Sequence, residues 1–185
     1  MPICFTIGST PTAPTKQLCY IMEEKTIIGI DPGSKGFITL RRGAHLEFFS
    51  IAEHHIVETA AYLRKAREES TDIVVAMEEV HAIFGSSAGA TFSFGEIFGI
   101  LQGFLMALRI PYHLVPPKEW QAEIWVKDDK RYLSGRRVNT KATSLNAAQR
   151  LFPDVDLRRN GNCTKPDDNK ADSLLICEYA RRKNL

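Results

Sequence analysis

Two carboxylates stand where buried strands are predicted to end. Asp31 closes the β-branched run TIIGID, and Glu78 closes a second apolar run, DIVVAME. A carboxylate at the end of a buried strand is costly to desolvate when it is left unpaired, so it is a poor choice for filling a core. If the two strands are neighbours, Asp31 and Glu78 lie side by side, and a divalent cation between them would relieve their repulsion.

The last predicted helix supplies two more acids. Asp168 and Asp172 in DDNKADSLLICEYARR are four residues apart, so they share one helix face and repel each other. The apolar residues that follow turn this helix toward the sheet. Two Mg²⁺ ions held about 4 Å apart by such acids could activate a water and stabilise the leaving oxygen of a phosphodiester. We therefore predict one catalytic and metal-binding set, formed by Asp31, Glu78, Asp168 and Asp172.

Other polar and aromatic residues near this set are expected to serve differently. Glu79 should point to the opposite strand face from Glu78, which favours a position at the surface or behind the ligands over a role as a ligand. Asp167, after Pro166, is typical of a helix N-cap. Glu178, further along the last helix, is expected to be a solvated charge, and Trp120 is expected to be core.

The elements that must position these residues follow from periodicity and from Gly and Pro breaks. Their order, βββαβαβα, predicts an α/β fold whose sheet starts antiparallel and continues with parallel crossovers. This gives a five-stranded mixed sheet flanked by helices. The predicted strands are 26–31, 36–42, 44–50, 72–78 and 110–115, and the predicted helices are 55–70, 94–108, 141–152 and about 167–182.

Composition limits the class of protein. A chain of 185 residues, 44% of them hydrophobic, suits one globular domain. Its net charge is only +2, so any nucleic-acid surface must come from local clustering of basic residues. No transmembrane helix or signal peptide is expected. The four cysteines lack a CxxC pair, which argues against zinc or a disulfide framework and favours a cytoplasmic setting, in a bacterium or a phage-infected host cell.

The first 21 residues differ from the rest. The segment STPTAPTKQ is rich in Thr and Pro and has no periodicity, so residues 1–21 are expected to form a poorly ordered tail. A strand is predicted shortly after Met22, which could be the natural start. The folded domain is therefore expected to span residues 22–185.

Four motifs, taken in order, carry a resemblance to a known family. GIDPGSKG, AMEEVHA, FSFGEIFGILQGFLMALRIPYHLVPPKEWQ and KPDDNKADSLLICEYA resemble those of the RuvC-like Holliday junction resolvases, especially phage-type members, of the RNase H-like superfamily. Together they cover nearly everything from about residue 25 to the end. GIDPG alone also resembles the phosphate loop of actin-like ATPases, so the ordered set is the specific signal.

The resemblance implies an RNase H-like fold, a homodimer, and symmetric nicking of four-way junctions that depends on Mg²⁺ or Mn²⁺, with two ions in each site. The family's first, second and last carboxylates match Asp31, Glu78 and Asp172. Its third carboxylate falls on Asn169 or on Asp168, depending on the family member. We favour Asp168, with Asp167 as a spare.

Residues that could contact DNA lie in three places. The basic loop YLSGRRVNTK contains Arg136, Arg137 and Lys141 and leads into a helix N-terminus, a combination suited to phosphate contacts. Lys118 matches a basic position of the family. The family also places an aromatic wedge in the loop after Glu78. That loop here offers His81 at the matching position and Phe84 nearby.

The helix predicted over 94–108 is apolar almost all round and carries Gly95, Gly99 and Gly103 at intervals of four. Such a helix needs cover on two sides. One side would be the sheet. We expect the other to be a second subunit related by a two-fold axis, although a fully intramolecular core is the alternative.

Three functions compete. The favoured one is a junction resolvase, that is, a crossover junction endodeoxyribonuclease. Another nuclease of the same superfamily, acting on forks, flaps or RNA–DNA hybrids, would use the same carboxylates. An ATP-binding protein of the actin-like class would need two duplicated domains, and nothing in the 185 residues repeats. A DNA-binding module without catalysis would have little reason to keep all four acids.

Overall fold

The computed structural model describes residues 24–79 and 87–185. The predicted tail and the two wedge candidates, His81 and Phe84, lie outside the described residues. The strands are β1 (Thr26–Asp31), β2 (Phe37–Arg42), β3 (His45–Ser50), β4 (Ile73–Glu78) and β5 (Tyr112–Val115). The helices are α1 (Ile56–Glu68), α2 (Ala88–Ala107), α3 (Pro117–Ile124), α4 (Thr140–Leu151) and α5 (Asp168–Lys183), with 3-10 turns at Ile51–Glu53 and Lys127–Asp129.

The five strands form one mixed sheet in the order β3-β2-β1-β4-β5. β1 pairs antiparallel with β2, and β2 pairs antiparallel with β3. β4 runs parallel to β1 on one side and to β5 on the other. The predicted α/β class, with an antiparallel start and parallel crossovers, is therefore confirmed. Because β1 and β4 are parallel neighbours, their carboxyl ends meet at one edge of the sheet.

Helices cover both faces of this sheet, which explains why its central strands are continuous apolar runs. On one face, Ile28 and Ile30 of β1 pack with Leu63 of α1 and with Leu101 and Leu105 of α2. On the other face, Ile27 and Ala76 pack against α5, and α3 and α4 complete that layer. The sheet is thereby packed against helices on both faces.

α5 lies unusually close to β1. A Cβ atom on Gly29 would stand 2.3 Å from the carbonyl oxygen of Ser173 and 2.4 Å from the amide nitrogen of Cys177, both in the backbone of α5. Only glycine permits this approach. The contact is reinforced by a hydrogen bond of 2.7 Å between the buried hydroxyls of Thr39 on β2 and Ser173. The helix that carries two candidate carboxylates is thus seated directly on the sheet.

The structure differs from the sequence-based expectation at three elements. α3 was not predicted, although Pro117 at its first position and Trp120 and Ile124 on one face are a recognisable helix signal. α2 begins at Ala88 rather than at residue 94, because its first turns lack apolar periodicity. The last strand begins at Tyr112 rather than at residue 110.

The expectation for Glu178 was wrong. This residue is only 5% exposed and forms ion pairs with Arg41, Arg181 and Arg182 at 3.0, 2.8 and 3.0 Å. Arg41 comes from β2, far away in the sequence, so helical spacing alone could not show that this acid is enclosed by guanidinium groups.

The structure also bears on membrane insertion. Within residues 24–79 and 87–185, no helix has both the length and the apolar character required to span a bilayer.

Candidate active site

The four predicted carboxylates stand at one edge of the sheet. Asp31 is the last residue of β1 and Glu78 the last residue of β4, one position beyond the paired residues Ile30 and Met77. Asp168 and Asp172 occupy the first two turns of α5. All four residues are partly accessible to solvent. The structure therefore brings the predicted set together, and its catalytic role remains a prediction.

Repulsion among the four carboxylates contributes to the raised pKa of Asp31. Burial raises the pKa of this carboxyl well above its usual value, and the charges of Asp172, Glu78 and Asp168 raise it further. A hydrogen bond from the backbone amide of Gly33 acts in the opposite direction. A cation that neutralises the neighbouring charges would therefore stabilise the ionised form of Asp31.

Asp172 is a second carboxyl of the set whose pKa is strongly raised. Burial raises its pKa from 3.8 to about 8, and a hydrogen bond with Ser144 opposes that rise. Within the described part of the chain, its Oδ1 atom is buried and has no hydrogen-bond partner. A buried carboxylate oxygen left unpaired is costly, and it is well suited to accept a ligand.

The donor set fits a hard divalent cation, because every candidate ligand atom is a carboxylate oxygen, the donor that Mg²⁺ and Mn²⁺ prefer. As the side chains stand, no three Asp, Glu, His or Cys residues in 24–79 and 87–185 are arranged around a single point at metal-ligand spacing. A bound ion would therefore have to draw the carboxylates inward from their present rotamers.

The beginning of α5 distinguishes the three candidates for the third carboxylate. Asp167 caps the helix by accepting from the amides of Asn169 and Lys170, at 2.9 and 3.3 Å, so its predicted capping role is confirmed. The Asn169 side chain donates to Asp167 at 3.1 Å. The charge of Asp168, in contrast, acts on both Asp31 and Asp172. This favours Asp168 as the third carboxylate, and that assignment stays a prediction.

Trp120 contacts the candidate site, which its sequence context did not indicate. It is 1% exposed, as expected of a core residue, but its indole nitrogen also donates a hydrogen bond of 3.0 Å to Oε2 of Glu78. Burial raises the pKa of Glu78, and this hydrogen bond lowers it. The contact joins α3 to the end of β4, and no sequence pattern signals a pair 42 positions apart.

Within residues 24–79 and 87–185, the residues predicted to bind DNA lie at the start of α3 and in and beside the loop before α4. Lys118 is exposed at the start of α3. Arg136 and Arg137 are exposed in a loop closed by pairing of Tyr132 with Val138, and Arg136 has a left-handed backbone, with φ of 63°. An open groove of about 520 Å³ lies beside this loop, and its lining residues are Leu133, Arg137, Val138, Asn139, Thr140 and Lys141.

Lys141 connects this groove to the carboxylates. Its ammonium lies 2.7 Å from Oδ2 of Asp168, while its side chain remains 73% exposed. Other basic residues of the same stretch are held elsewhere. Arg150 pairs with the buried Asp129 at 2.8 Å, so it stabilises the fold rather than presenting a free charge.

The comparisons with known proteins rest on structure. No protein-family profile matches the sequence, and no curated protein sequence matches it. The structure of Thermus thermophilus RuvC in complex with a Holliday junction substrate is similar, with a TM-score of 0.56 and 14% identity over 86% of this chain and 94% of that chain. The chain has a RuvC-like fold. The yeast mitochondrial Holliday junction resolvase Ydc2 is similar too, with a TM-score of 0.52 and 14% identity over 89% of this chain and 80% of that one.

At these identities the likeness establishes the fold, and with it the predicted RNase H-like class. The RuvC-like fold accounts for the order of the elements and for the placement of β1, β4 and α5. The chemistry of this chain has to be argued from its own side chains.

Proposed function

We propose that this chain is a Holliday junction resolvase, an endonuclease that makes paired nicks in four-way DNA junctions. The observation that carries the proposal is the convergence of four carboxylates, from two adjacent strands and one helix, at one edge of a RuvC-like sheet. The proposal is supported by a structural neighbour that was solved with junction DNA. The enzyme class is a metal-dependent phosphodiesterase.

Asp31, Glu78, Asp168 and Asp172 are proposed to hold two Mg²⁺ or Mn²⁺ ions. Such ions supply Lewis acidity, which lowers the pKa of a water and stabilises the oxygen that leaves phosphorus. The chain's own residues orient the ligands. Trp120 donates a hydrogen bond to one oxygen of Glu78, and the close contact of α5 with Gly29 would bring Asp172 toward Asp31.

A second copy of the chain is the proposed partner. On α2, Phe92 is 72% exposed and Met106 is 61% exposed. In the part of the chain that the structure describes, no atom outside the nearby backbone of α2 lies within 4 Å of a Cβ placed on Gly95, Gly99 or Gly103. This apolar surface with open glycines would allow close packing of two helices about a two-fold axis.

Selectivity for junctions would follow from the symmetry of the dimer. A four-way junction can occupy two sites at once, whereas a linear duplex occupies one, so the second contact gains from a high effective concentration. Arg136, Arg137 and Lys118 would hold the phosphates of the arms, which makes binding sensitive to salt. The loop that contains His81 and Phe84 is proposed to reach the junction centre.

The test is a time course with Mg²⁺ on matched four-way junction, linear duplex, fork, flap and RNA–DNA hybrid substrates at moderate salt. We expect symmetric nicks in opposing strands of the junction and much slower cleavage of the other substrates. Asp31→Asn should abolish cleavage while preserving junction binding. Faster hydrolysis of the hybrid would assign the chain to the ribonucleases, and faster cutting of forks or flaps would assign it to another branch-specific nuclease.

A further inference from the structure

Arg159 contacts three separate segments, one of which is the cap of α5 next to Asp168. Its Nε donates to Oδ2 of Asp167 at 2.7 Å, one terminal nitrogen donates to Oγ of Ser50 at 2.9 Å, and the other donates to the carbonyl of Lys35 at 2.8 Å. The guanidinium carbon also stands 4.7 Å from the centre of the Phe37 ring. One side chain thus joins the β1–β2 turn, the end of β3 and the start of α5.

Two of these contacts act on segments that carry candidate metal ligands. The β1–β2 turn begins at Asp31, whose carboxylate accepts from the amide of Gly33, and Arg159 holds the far end of that turn through Lys35. Asp167 is the N-cap of α5 and immediately precedes Asp168. Arg159 therefore fixes the turn behind one carboxylate relative to the cap behind another.

The same contacts argue against a direct role for Arg159 in DNA binding. Its side chain is 16% exposed, and each guanidinium nitrogen already donates to a protein oxygen. The neighbouring Arg158 is different, because its side chain is 45% exposed and pairs with the exposed Asp156. Three acceptors in different directions suit the planar fork of arginine, which lysine cannot replace.

We propose that Arg159 is a positioning residue of the active site, one that holds Asp31 and Asp168 at the separation required to share divalent cations. The inference rests on the proposed metal-dependent function, and it concerns the geometry of the ligands rather than contact with substrate. Groups that support metal ligands in this way typically change metal affinity or activity by about 10- to 100-fold when they are removed.

The experiment compares Arg159→Gln and Arg159→Lys with the matched control Arg158→Gln in the full chain. Mn²⁺ affinity, measured by electron paramagnetic resonance, is expected to weaken about 10-fold or more in Arg159→Gln. Arg159→Lys should recover little of it, because an ammonium cannot reach three acceptors. Single-turnover junction cleavage should fall in parallel. Junction affinity in EDTA and its dependence on salt should stay at the wild-type values. In the control Arg158→Gln, Mn²⁺ affinity, cleavage and junction affinity should all stay at the wild-type values.

Two results would overturn the proposal. One is unchanged Mn²⁺ affinity in a folded Arg159→Gln variant. The other is weaker junction binding with a salt slope smaller by about 0.9, since that marks the loss of one phosphate contact. If Arg159→Gln fails to fold, the same measurement is made on Asp167→Asn. Asparagine can still cap the helix but cannot form the ion pair with Arg159. Unchanged Mn²⁺ affinity in that variant would overturn the proposal too.

Failure of the proposed function remains distinguishable. The Mn²⁺ measurements need no substrate, so a wild-type chain that binds Mn²⁺ without cutting junctions would refute the resolvase assignment while still testing Arg159. A wild-type chain that binds no Mn²⁺ would overturn the positioning role itself.

Discussion

The ammonium of Lys141 lies 2.7 Å from Oδ2 of Asp168, so a cation supplied by the chain neutralises one of the four clustered carboxylates. The Asp168 carboxylate in turn raises the pKa of Lys141. Because the lysine side chain is largely exposed, it can leave without disturbing the core. Lys141 and a divalent cation would therefore compete for the same oxygen.

Removal of this lysine charge is expected to strengthen metal binding. Lys141→Met should raise Mn²⁺ affinity about two- to fivefold, which corresponds to an exposed unit charge a few ångströms away in a high-dielectric setting. Titration calorimetry at low salt measures it, and Lys130→Met, another exposed lysine of the same stretch, is the control. Weaker or unchanged binding in Lys141→Met would contradict competition for Asp168.

The raised pKa of Asp172 predicts how metal-free stability depends on pH. The carboxyl titrates at about 8 in the folded chain and near 3.8 when unfolded, so between these values the folded chain binds the extra proton. Through this group, the free energy of unfolding is therefore highest at low pH and falls as pH rises from about 4 to about 8.

Asp172→Asn should remove that dependence. In EDTA at pH 8.5, the melting temperature of the variant should exceed that of wild type by roughly 3 °C or more, since about 1 kcal/mol corresponds to 2–4 °C in a chain of this size. At pH 5 the gap should be small, because the wild-type carboxyl is then neutral. Asp154→Asn, at an exposed carboxyl, is the control. A gap that does not widen with pH would show that Asp172 titrates normally.

Trp120→Phe tests the support of Glu78. Phenylalanine keeps most of the buried apolar volume and loses the indole donor that lowers the pKa of Glu78. The acid limb of the pH–rate profile should therefore move to higher pH, and cleavage at pH 6 should fall about 10-fold or more. The double variant Trp120→Phe with Glu78→Gln should show no additional loss from the tryptophan change. An unshifted acid limb would separate Trp120 from catalysis.

Gly99→Arg tests the dimer. Within residues 24–79 and 87–185, and apart from the nearby backbone of α2 itself, a Cβ at Gly99 meets no atom within 4 Å. Replacing a helical glycine favours the helix by about 1 kcal/mol. The variant should therefore fold at least as well as wild type, sediment as a monomer at micromolar concentration, and lose paired nicking. Glu96→Arg, at an exposed position on the same helix, is the control for added charge. A dimer that persists in Gly99→Arg would place the interface elsewhere.

Local sequence was sufficient to predict much of the fold and the edge at which the acids meet. β1 and β4 are unbroken apolar runs that end in Asp31 and Glu78. Each strand and its terminal acid can therefore be predicted from its own short segment. Helical spacing likewise placed Asp168 and Asp172 on α5.

What could not be predicted depends on contacts between distant segments. The indole of Trp120 reaches Glu78, and the guanidinium of Arg41 reaches Glu178, only after the sheet and helices have assembled. Arg159 appears in the sequence as one more residue of a basic stretch. Its role as a tie between Lys35 and Asp167 depends on segments more than a hundred positions apart.

Gly29 has no side chain, and this has a consequence for the spacing of the carboxylates. The separation of Asp31 and Asp172 depends on the distance between β1 and α5, and at Gly29 the strand adds no side chain to the layer between them. A single methyl group at Gly29 would clash with the backbone of α5 and displace the helix from the sheet. The separation of the two acids would then increase without a change in either residue. The spacing of the carboxylate cluster thus depends in part on the absence of a side chain at Gly29, two residues before Asp31 in the strand.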